Sequence, residues 1–254
     1  MQLISLNTWG GSAGREKLLA FFTTHKDVDI FCLQEVMSAP YRHLEGKVVG
    51  GVAFSNNQRM PYGVQDISGL LDTHTAYFRP HQGDHYGLLT LVKKDFVIAE
   101  EGELFVHKEK GYEPEGDMGL HARNIQYATI ATEKGNRTVI NFHGLWNGKG
   151  KGDSEDRLRQ SDNIIQFLQK LQNPYVLCGD FNLLPDTESL QKLERFGLHN
   201  LIKENGITST RTSFYTKPEK FADYTLVSDG IKVSTFRILP DEVSDHSPMF
   251  LDFE

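Results

Sequence analysis

Tyr175-Val176-Leu177-Cys178-Gly179-Asp180-Phe181-Asn182 is a short apolar run that ends abruptly in polar residues and is followed by Pro185. Four apolar residues are too few for a helix, and an apolar run of this length without alternation suits a strand covered on both faces. The same pattern recurs along the chain. A strand over Gln2 to Leu6 runs into Asn7, one over Val28 to Gln34 runs into Glu35, and one over Thr138 to Phe142 runs into His143. Two further strands begin with such groups: Asp223 precedes Tyr224-Thr225-Leu226-Val227, and Asp245-His246 precedes Met249-Phe250-Leu251. If these last two run antiparallel to the first four, the carboxylates, amides and imidazoles share one edge, which is where active sites form in α/β folds.

Between these strands the chain reads as mixed α/β. Further strands are expected over Gly87 to Val92, Phe96 to Glu101, Ile125 to Thr132 and Ile231 to Ile238. Helices are expected over Arg15 to His25, Ser154 to Leu171 and Thr187 to Phe196, where Leu, Ile and Phe recur at helical spacing. Two polar segments, Ser55 to His85 and His107 to Asn124, carry no readable period and are left as long loops. Neither a repeat nor a low-complexity linker divides the chain, so residues 1–254 are taken as one domain.

Composition bounds the function. With 39% apolar, 24% charged and 11% aromatic residues, the 254-residue chain can build a core, and disorder is excluded for most of it. Its net charge of −7 argues against a surface coated for long nucleic acid. Cys32 and Cys178 each lie inside an apolar run and read as small core residues, not a disulfide framework or a catalytic thiol. No apolar stretch reaches the length of a membrane span and no signal-peptide pattern opens the chain, so a soluble, cytoplasmic protein is expected, with a monomer favoured.

The blocks Leu6-Asn7-Thr8-Trp9, Leu33-Gln34-Glu35, Gly179-Asp180-Phe181-Asn182 and Ser244-Asp245-His246-Ser247-Pro248 stand in an order that resembles the endonuclease/exonuclease/phosphatase superfamily over nearly the whole chain. The resemblance implies a four-layer α/β sandwich of two packed mixed β-sheets flanked by helices, as in DNase I-like proteins. It also implies residue roles. Asn7, Glu35 and Asp245 would lie at a divalent-metal site. His143 would contact the scissile phosphate or leaving group, and Asp180 and Asn182 would orient the attacking water and steady the phosphoryl group. Asp223 would orient the imidazole of His246. Many nucleases of the family carry an Asp two residues after the first Asn; Trp9 stands there in this chain, so metal coordination at that end rests on Glu35.

The chemistry suits these residue types. Phosphoester hydrolysis needs a Lewis acid on a phosphoryl oxygen, an activated water and a stabilised leaving group. Sparse, hard oxygen ligands fit Mg²⁺ or Mn²⁺ better than zinc. A carboxylate on one nitrogen of His246 would fix its tautomer and raise the basicity of the other. For His143 the carboxylate candidates are Asp84 and Asp117, both in the polar loops. After His143 comes Trp146-Asn147-Gly148-Lys149-Gly150-Lys151-Gly152, a glycine–lysine alternation that reads either as a flexible solvated connection or, from its place beside the site, as a mobile phosphate-binding flap with Asn147, Lys149, Lys151 and Arg157 as candidate substrate contacts. The expected activity is a Mg²⁺-dependent phosphoesterase acting on a phosphodiester or phosphomonoester, with a small molecule or lipid headgroup favoured as substrate. A DNA or RNA nuclease is the alternative within catalysis, and a catalytically silent binding module on the same scaffold is the alternative outside it.

Overall fold

A computed structural model describes residues 1–254. In chain order the elements are β1 (Gln2–Asn7), α1 (Arg15–Thr24), β2 (Ile30–Met37), β3 (Val48–Val49), β4 (Val52–Ala53), α2 (Gly63–Leu70), β5 (His74–Gln82), β6 (Tyr86–Lys93), β7 (Val97–His107), β8 (Arg123–Ala131), β9 (Arg137–His143), α3 (Glu155–Leu168), β10 (Tyr175–Asp180), α4 (Glu188–Arg195), β11 (His199–Asn200), α5 (Leu201–Glu204), β12 (Asp223–Val227), β13 (Val233–Ile238) and β14 (Met249–Phe253). Two six-stranded mixed sheets form, ordered β13-β14-β1-β2-β6-β5 and β11-β12-β10-β9-β8-β7, with β3 and β4 as a separate hairpin.

Period-2 alternation sorts each strand into two faces. On the outer face of the first sheet, Ile4, Leu6, Phe31, Leu33, Leu89 and Leu91 pack against Leu18, Phe21 and Phe22 of α1 and Ile67 of α2. The opposite rows, with Leu3, Ile30 and Cys32, join the core shared with Cys178 and Val176 of the second sheet, and Ile164 and Leu168 of α3 with Leu190 and Leu193 of α4 belong to the same cluster. The result is helices, sheet, sheet, helices: the four-layer α/β sandwich expected from the sequence. No helix is long and apolar enough to cross a membrane.

The strand directions place the site. β1 pairs parallel to β2 and β9 parallel to β10, while β12 runs antiparallel to β10 and β14 antiparallel to β1. Residue ends therefore coincide: Asn7 lies opposite Gln34, and Asp180 lies opposite both His143 and Asp223. The inward rows turn polar toward that end. Gln34 Nε2 donates to Asn141 Oδ1 at 2.8 Å, Asn141 Nδ2 donates to Thr90 Oγ1 at 3.2 Å, and Thr90 Oγ1 donates to Gln126 Oε1 at 2.8 Å, so the buried polar groups pair with one another across the inter-sheet layer.

The sequence reading departs from the structure mainly in the polar segments. Ser55 to His85 is not one loop: it holds α2 and the edge strand β5. β5 pairs only with β6, leaves Thr75 and Ala76 exposed and contains Pro80, a composition that an edge strand tolerates and a pattern search discounts. β7 also continues to His107, well past Glu101, and α3 stops at Leu168, a few residues before Pro174.

Both thiols are buried and unpaired. Burial pushes the Cys32 thiol well up, and the neighbouring Cys178 adds to the shift. Native protein should accordingly react with neither of its cysteines on exposure to a thiol reagent over minutes, and with both after unfolding in guanidinium; rapid native labelling would place a thiol at the surface.

Candidate active site

Backbone strain marks the site before any side chain is considered. Four non-glycine residues have positive φ, and three of them, Trp9 (51°), Glu35 (58°) and Asn182 (54°), line one cavity. At Glu35 the cause is a bulge: Leu33 pairs with Leu89, but Val36 pairs with Gly87, so β2 carries one extra residue and the side chain is re-aimed. Gly179 has φ 141°, and a Cβ there would lie 1.9 Å from Phe142 O, so the glycine ahead of Asp180 is what lets β10 and β9 approach.

Asp180 is the hub. Its Oδ2 accepts from Asn7 Nδ2 at 2.9 Å and lies 3.6 Å from His246 Nε2 and 3.7 Å from His143 Nε2. Its Oδ1 accepts from the Asn182 backbone N–H at 2.8 Å. Burial pushes this carboxyl up, but His246, Lys151, Arg211 and the Asn182 N–H outweigh it and hold it below the usual carboxylate range. Asn7 Nδ2 also donates to Glu35 Oε1 at 3.2 Å, and Asn7 Oδ1 accepts from the Trp9 N–H at 2.9 Å.

The two histidines are held differently. His246 Nδ1 contacts both oxygens of Asp223, at 2.8 and 2.9 Å, and Thr210 Oγ1 donates to the same carboxylate at 3.0 Å. Burial and Arg211 push the His246 pKa down, while Asp223, Asp245 and Asp180 more than compensate, so the net shift is upward. His143 has neither Asp84 nor Asp117 as partner. Asp117 instead accepts from the backbone N–H groups of Gly50, Gly51 and Gly119, and Asp84 is exposed. Arg123 Nη1 lies 3.2 Å from His143 Nδ1. A guanidinium can only donate, so Nδ1 is the acceptor and the proton of the neutral ring sits on Nε2, facing Asp180 and, at 3.9 Å, Glu35. Burial first, then Arg123, pushes the His143 pKa well down.

Asp245 is paired: its Oδ2 accepts from Arg211 Nη1 at 3.3 Å, and its Oδ1 lies 3.7 Å from His246 Nε2. Glu35 thus stands out as the carboxylate of the cavity wall with no cationic partner, since its nearest basic group is the neutral His143. Hard carboxylate oxygen without a cationic partner suits Mg²⁺ or Mn²⁺, whereas Asn7 presents its Nδ2 to Glu35 and Asp180 and would have to turn its amide to add an oxygen. Asp180, Asp223 and His246 also bring ligand-type atoms within 4.8 Å of one another, but their mutual hydrogen bonds and charge pairing account for that cluster.

The segment after His143 is not an open flap. Lys149 is exposed, but Lys151 is only 4% exposed and donates to Asn182 Oδ1 at 2.7 Å. Arg157 is spent on structure: Nη2 donates to Leu145 O at 3.1 Å and Gly150 O at 2.8 Å, and Nη1 donates to Gly152 O, so its guanidinium ties the glycine-rich loop down and is not free for substrate. Asn147 caps its own loop, accepting from the Lys149 N–H at 3.0 Å. Arg123 and Arg211 are site residues that the sequence reading missed. The only signal for Arg123 is a charge directly ahead of an apolar strand, and Arg211 sits in an unpatterned stretch that bridges to His246.

These groups open into a cavity of about 790 Å³, walled on the far side by Tyr41, Leu44, Val49 and Phe54 and flanked by Trp146, Phe214 and Tyr215. The whole arrangement lies within a stretch, residues 4–246, that matches the family model described as endonuclease/exonuclease/phosphatase family. The chain belongs to this family. Members of the endonuclease/exonuclease/phosphatase family are hydrolases of phosphoesters, generally dependent on a divalent metal. Similar solved structures include a family protein from Bacteroides thetaiotaomicron (17% identity, TM-score 0.75, covering 100% of this chain and 97% of that one). The mannosyl-6-phosphatase of the same organism is similar at 16% identity and TM-score 0.74, covering 100% and 99%. The human Nocturnin catalytic domain with bound sulfate is similar at 17% identity and TM-score 0.66, covering 100% and 93%. No curated protein matches the chain in sequence.

Around Arg123 the imidazoles of His81 and His121 stack at 5.0 Å, and His81 lies 5.6 Å from His143. Burial, then Arg123, drives His81 down to about 3 and His121 well down. Both stay neutral when folded but bind protons near pH 6.5 when unfolded, so their contribution is present above that pH and is lost as pH falls. Each costs about 1.4 kcal/mol per pH unit across that window. The raised His246 acts with the opposite sign, its contribution being full in acid and lost as pH rises through its folded pKa. Five histidines are lowered in the fold, His74, His81, His107, His121 and His143, against two raised, His199 and His246, so the urea midpoint should be clearly lower at pH 5 than at pH 7.5; an unchanged midpoint would mean that the lowered rings are protonated in the fold.

Proposed function

We propose that this chain is a Mg²⁺- or Mn²⁺-dependent phosphoesterase, working as one domain over residues 1–254, that hydrolyses a phosphate ester of a small molecule or headgroup by water attack. The observation that carries this reading is the Asp180 hub: one buried carboxylate in contact with Asn7 and Asn182 and within 4 Å of both site histidines. Glu35, with Asp245 nearby if Arg211 releases it and Asn7 if its amide turns to bring Oδ1 in place of Nδ2, would hold the metal, which would supply Lewis-acid polarisation of a phosphoryl oxygen.

The chain's own residues carry the remaining steps. Asp223 holds His246 with Nε2 directed at Asp180, so a water between them has an oriented acceptor for its proton. Asp180, kept ionised, fixes the second hydrogen of that water. His143, neutral with its proton on Nε2, donates to the phosphoryl or leaving oxygen without first having to be protonated. The Asn182 amide, set by Lys151 and by its own left-handed backbone, steadies the phosphoryl group.

Small substrates are favoured over duplex DNA by the walled cavity and the −7 charge. A hydrolysis screen with Mg²⁺ over sugar phosphates, inositol phosphates, sphingomyelin, a chromogenic diester, DNA and RNA tests the reading. Chelator should abolish turnover, and Glu35→Gln or His246→Ala should lower kcat at least about a hundredfold in folded protein. Full turnover in excess chelator would overturn the metal, and no turnover on any ester would support a silent binding module.

A further inference from the structure

The cations of the cavity wall are not balanced by its carboxylates. Arg211 is paired with Asp245, but Arg59, Arg123, Lys151 and Lys217 have no carboxylate partner, in a chain whose overall charge is negative. Arg59 and Arg123 are engaged by neutral acceptors: Arg59 Nη1 donates to Trp9 O at 3.1 Å, and Arg123 to His143 and Gly119 O. The two lysines are less well satisfied. Lys151 Nζ has Asn182 Oδ1 as its single acceptor, although the residue is 4% exposed. Lys217 enters from the segment ahead of β12, and both ammonium groups lie 5.3 Å from the centroid of the same Trp146 ring.

Lys217 is exposed and its ammonium is free to meet a solute, whereas burying Lys151 with two of its three protons unused is costly. An anion seated at Lys151 beside the Trp146 ring would relieve that cost and could be met by the Lys217 side chain. Resting on the phosphoesterase reading, we propose that Lys151, Lys217 and Trp146 form a second anion subsite, so that the substrate is a compact ester carrying a further phosphate or carboxylate beside the group that is cleaved. Asn182 joins this subsite to the reaction centre, because it accepts from Lys151 through its side chain and donates to Asp180 through its backbone.

Compactness follows from the far wall. Asp117 accepts from the N–H groups of Gly50 and Gly51 at 2.7 and 2.8 Å, and Trp146 Nε1 donates to Gly50 O at 3.4 Å, so the turn between β3 and β4 is tied down beside the Trp146 ring. The half-open space of about 790 Å³ that it borders suits a metabolite-sized ligand. Burial lowers the Lys151 pKa to about 8, countered by Asp180 and Asp223 and reinforced by Arg211 and Arg157; an anion between the lysines would restore its charge.

Calorimetric titration in chelator, where turnover does not enter, compares two matched pairs: glucose 6-phosphate with glucose 1,6-bisphosphate, and glycerol 3-phosphate with 3-phosphoglycerate. The second anion should tighten Kd at least about tenfold, and Lys217→Ala and Lys151→Gln should each remove most of that gain while Lys217→Arg keeps it. A gain confined to the first pair assigns phosphate as the second group, and a gain confined to the second pair assigns carboxylate. Equal Kd values within both pairs, or a gain that survives Lys217→Ala, overturn the subsite. Tighter binding of a single-stranded oligonucleotide than of either two-anion ligand overturns the compact substrate in favour of nucleic acid. If the lysine-dependent gain is present but no ester is ever hydrolysed, the subsite stands and the phosphoesterase reading falls.

Discussion

The site depends on one bond across the sandwich: the Asn7 amide of the first sheet donating to the Asp180 carboxylate of the second. Each residue ends an inward-facing row, and neither row has a further strand residue with which to continue. The bond is made where both sheets stop and the core opens, so its strength comes from burial and from a charged acceptor. It fixes the separation of the sheet edges at the point where His143 and His246 approach from either side. Without it, the Asn7 and Asp180 ends would be aligned only by the polar layer beneath them.

Below that bond the inter-sheet layer is unusually polar for a core. Gln34, Asn141, Thr90 and Gln126 use their amides and hydroxyls on one another, so the polar rows are satisfied with few exceptions, Gln34 Oε1 among them. Apolar side chains there would tolerate small slips between the sheets, whereas directional bonds allow one registry. The layer therefore acts as an alignment device for the Asn7 and Asp180 ends, at a cost in desolvation that the apolar outer faces offset.

Much of this was legible in the sequence because short apolar runs that stop abruptly in polar residues mark the last residue of each strand, while its direction stays open until the pairing is seen. The Gly-Asp-Phe-Asn and Ser-Asp-His blocks name the ends of β10 and the entry to β14 outright. What stayed hidden has a common physical character. Arg123, Arg211 and the buried Lys151 act from loops or strand starts, where no period constrains the neighbours, and their partners lie far away in sequence, as in the contact between Arg211 and Asp245. Local pattern cannot distinguish a lysine in a glycine-rich loop that waves in solvent from one folded back onto Asn182. The edge strand β5 escaped for a related reason: being half-exposed, it carries neither a continuous apolar run nor a clean alternation.

The bulge at Glu35 makes the site sensitive to chain length as well as to chemistry. Removing one residue between Leu33 and Val36 would heal the ladder with β6 and ease a left-handed backbone, yet it would rotate the next carboxylate to the opposite face of β2. A regular ladder and a Glu35 side chain turned into the cavity are therefore mutually exclusive at this point of β2.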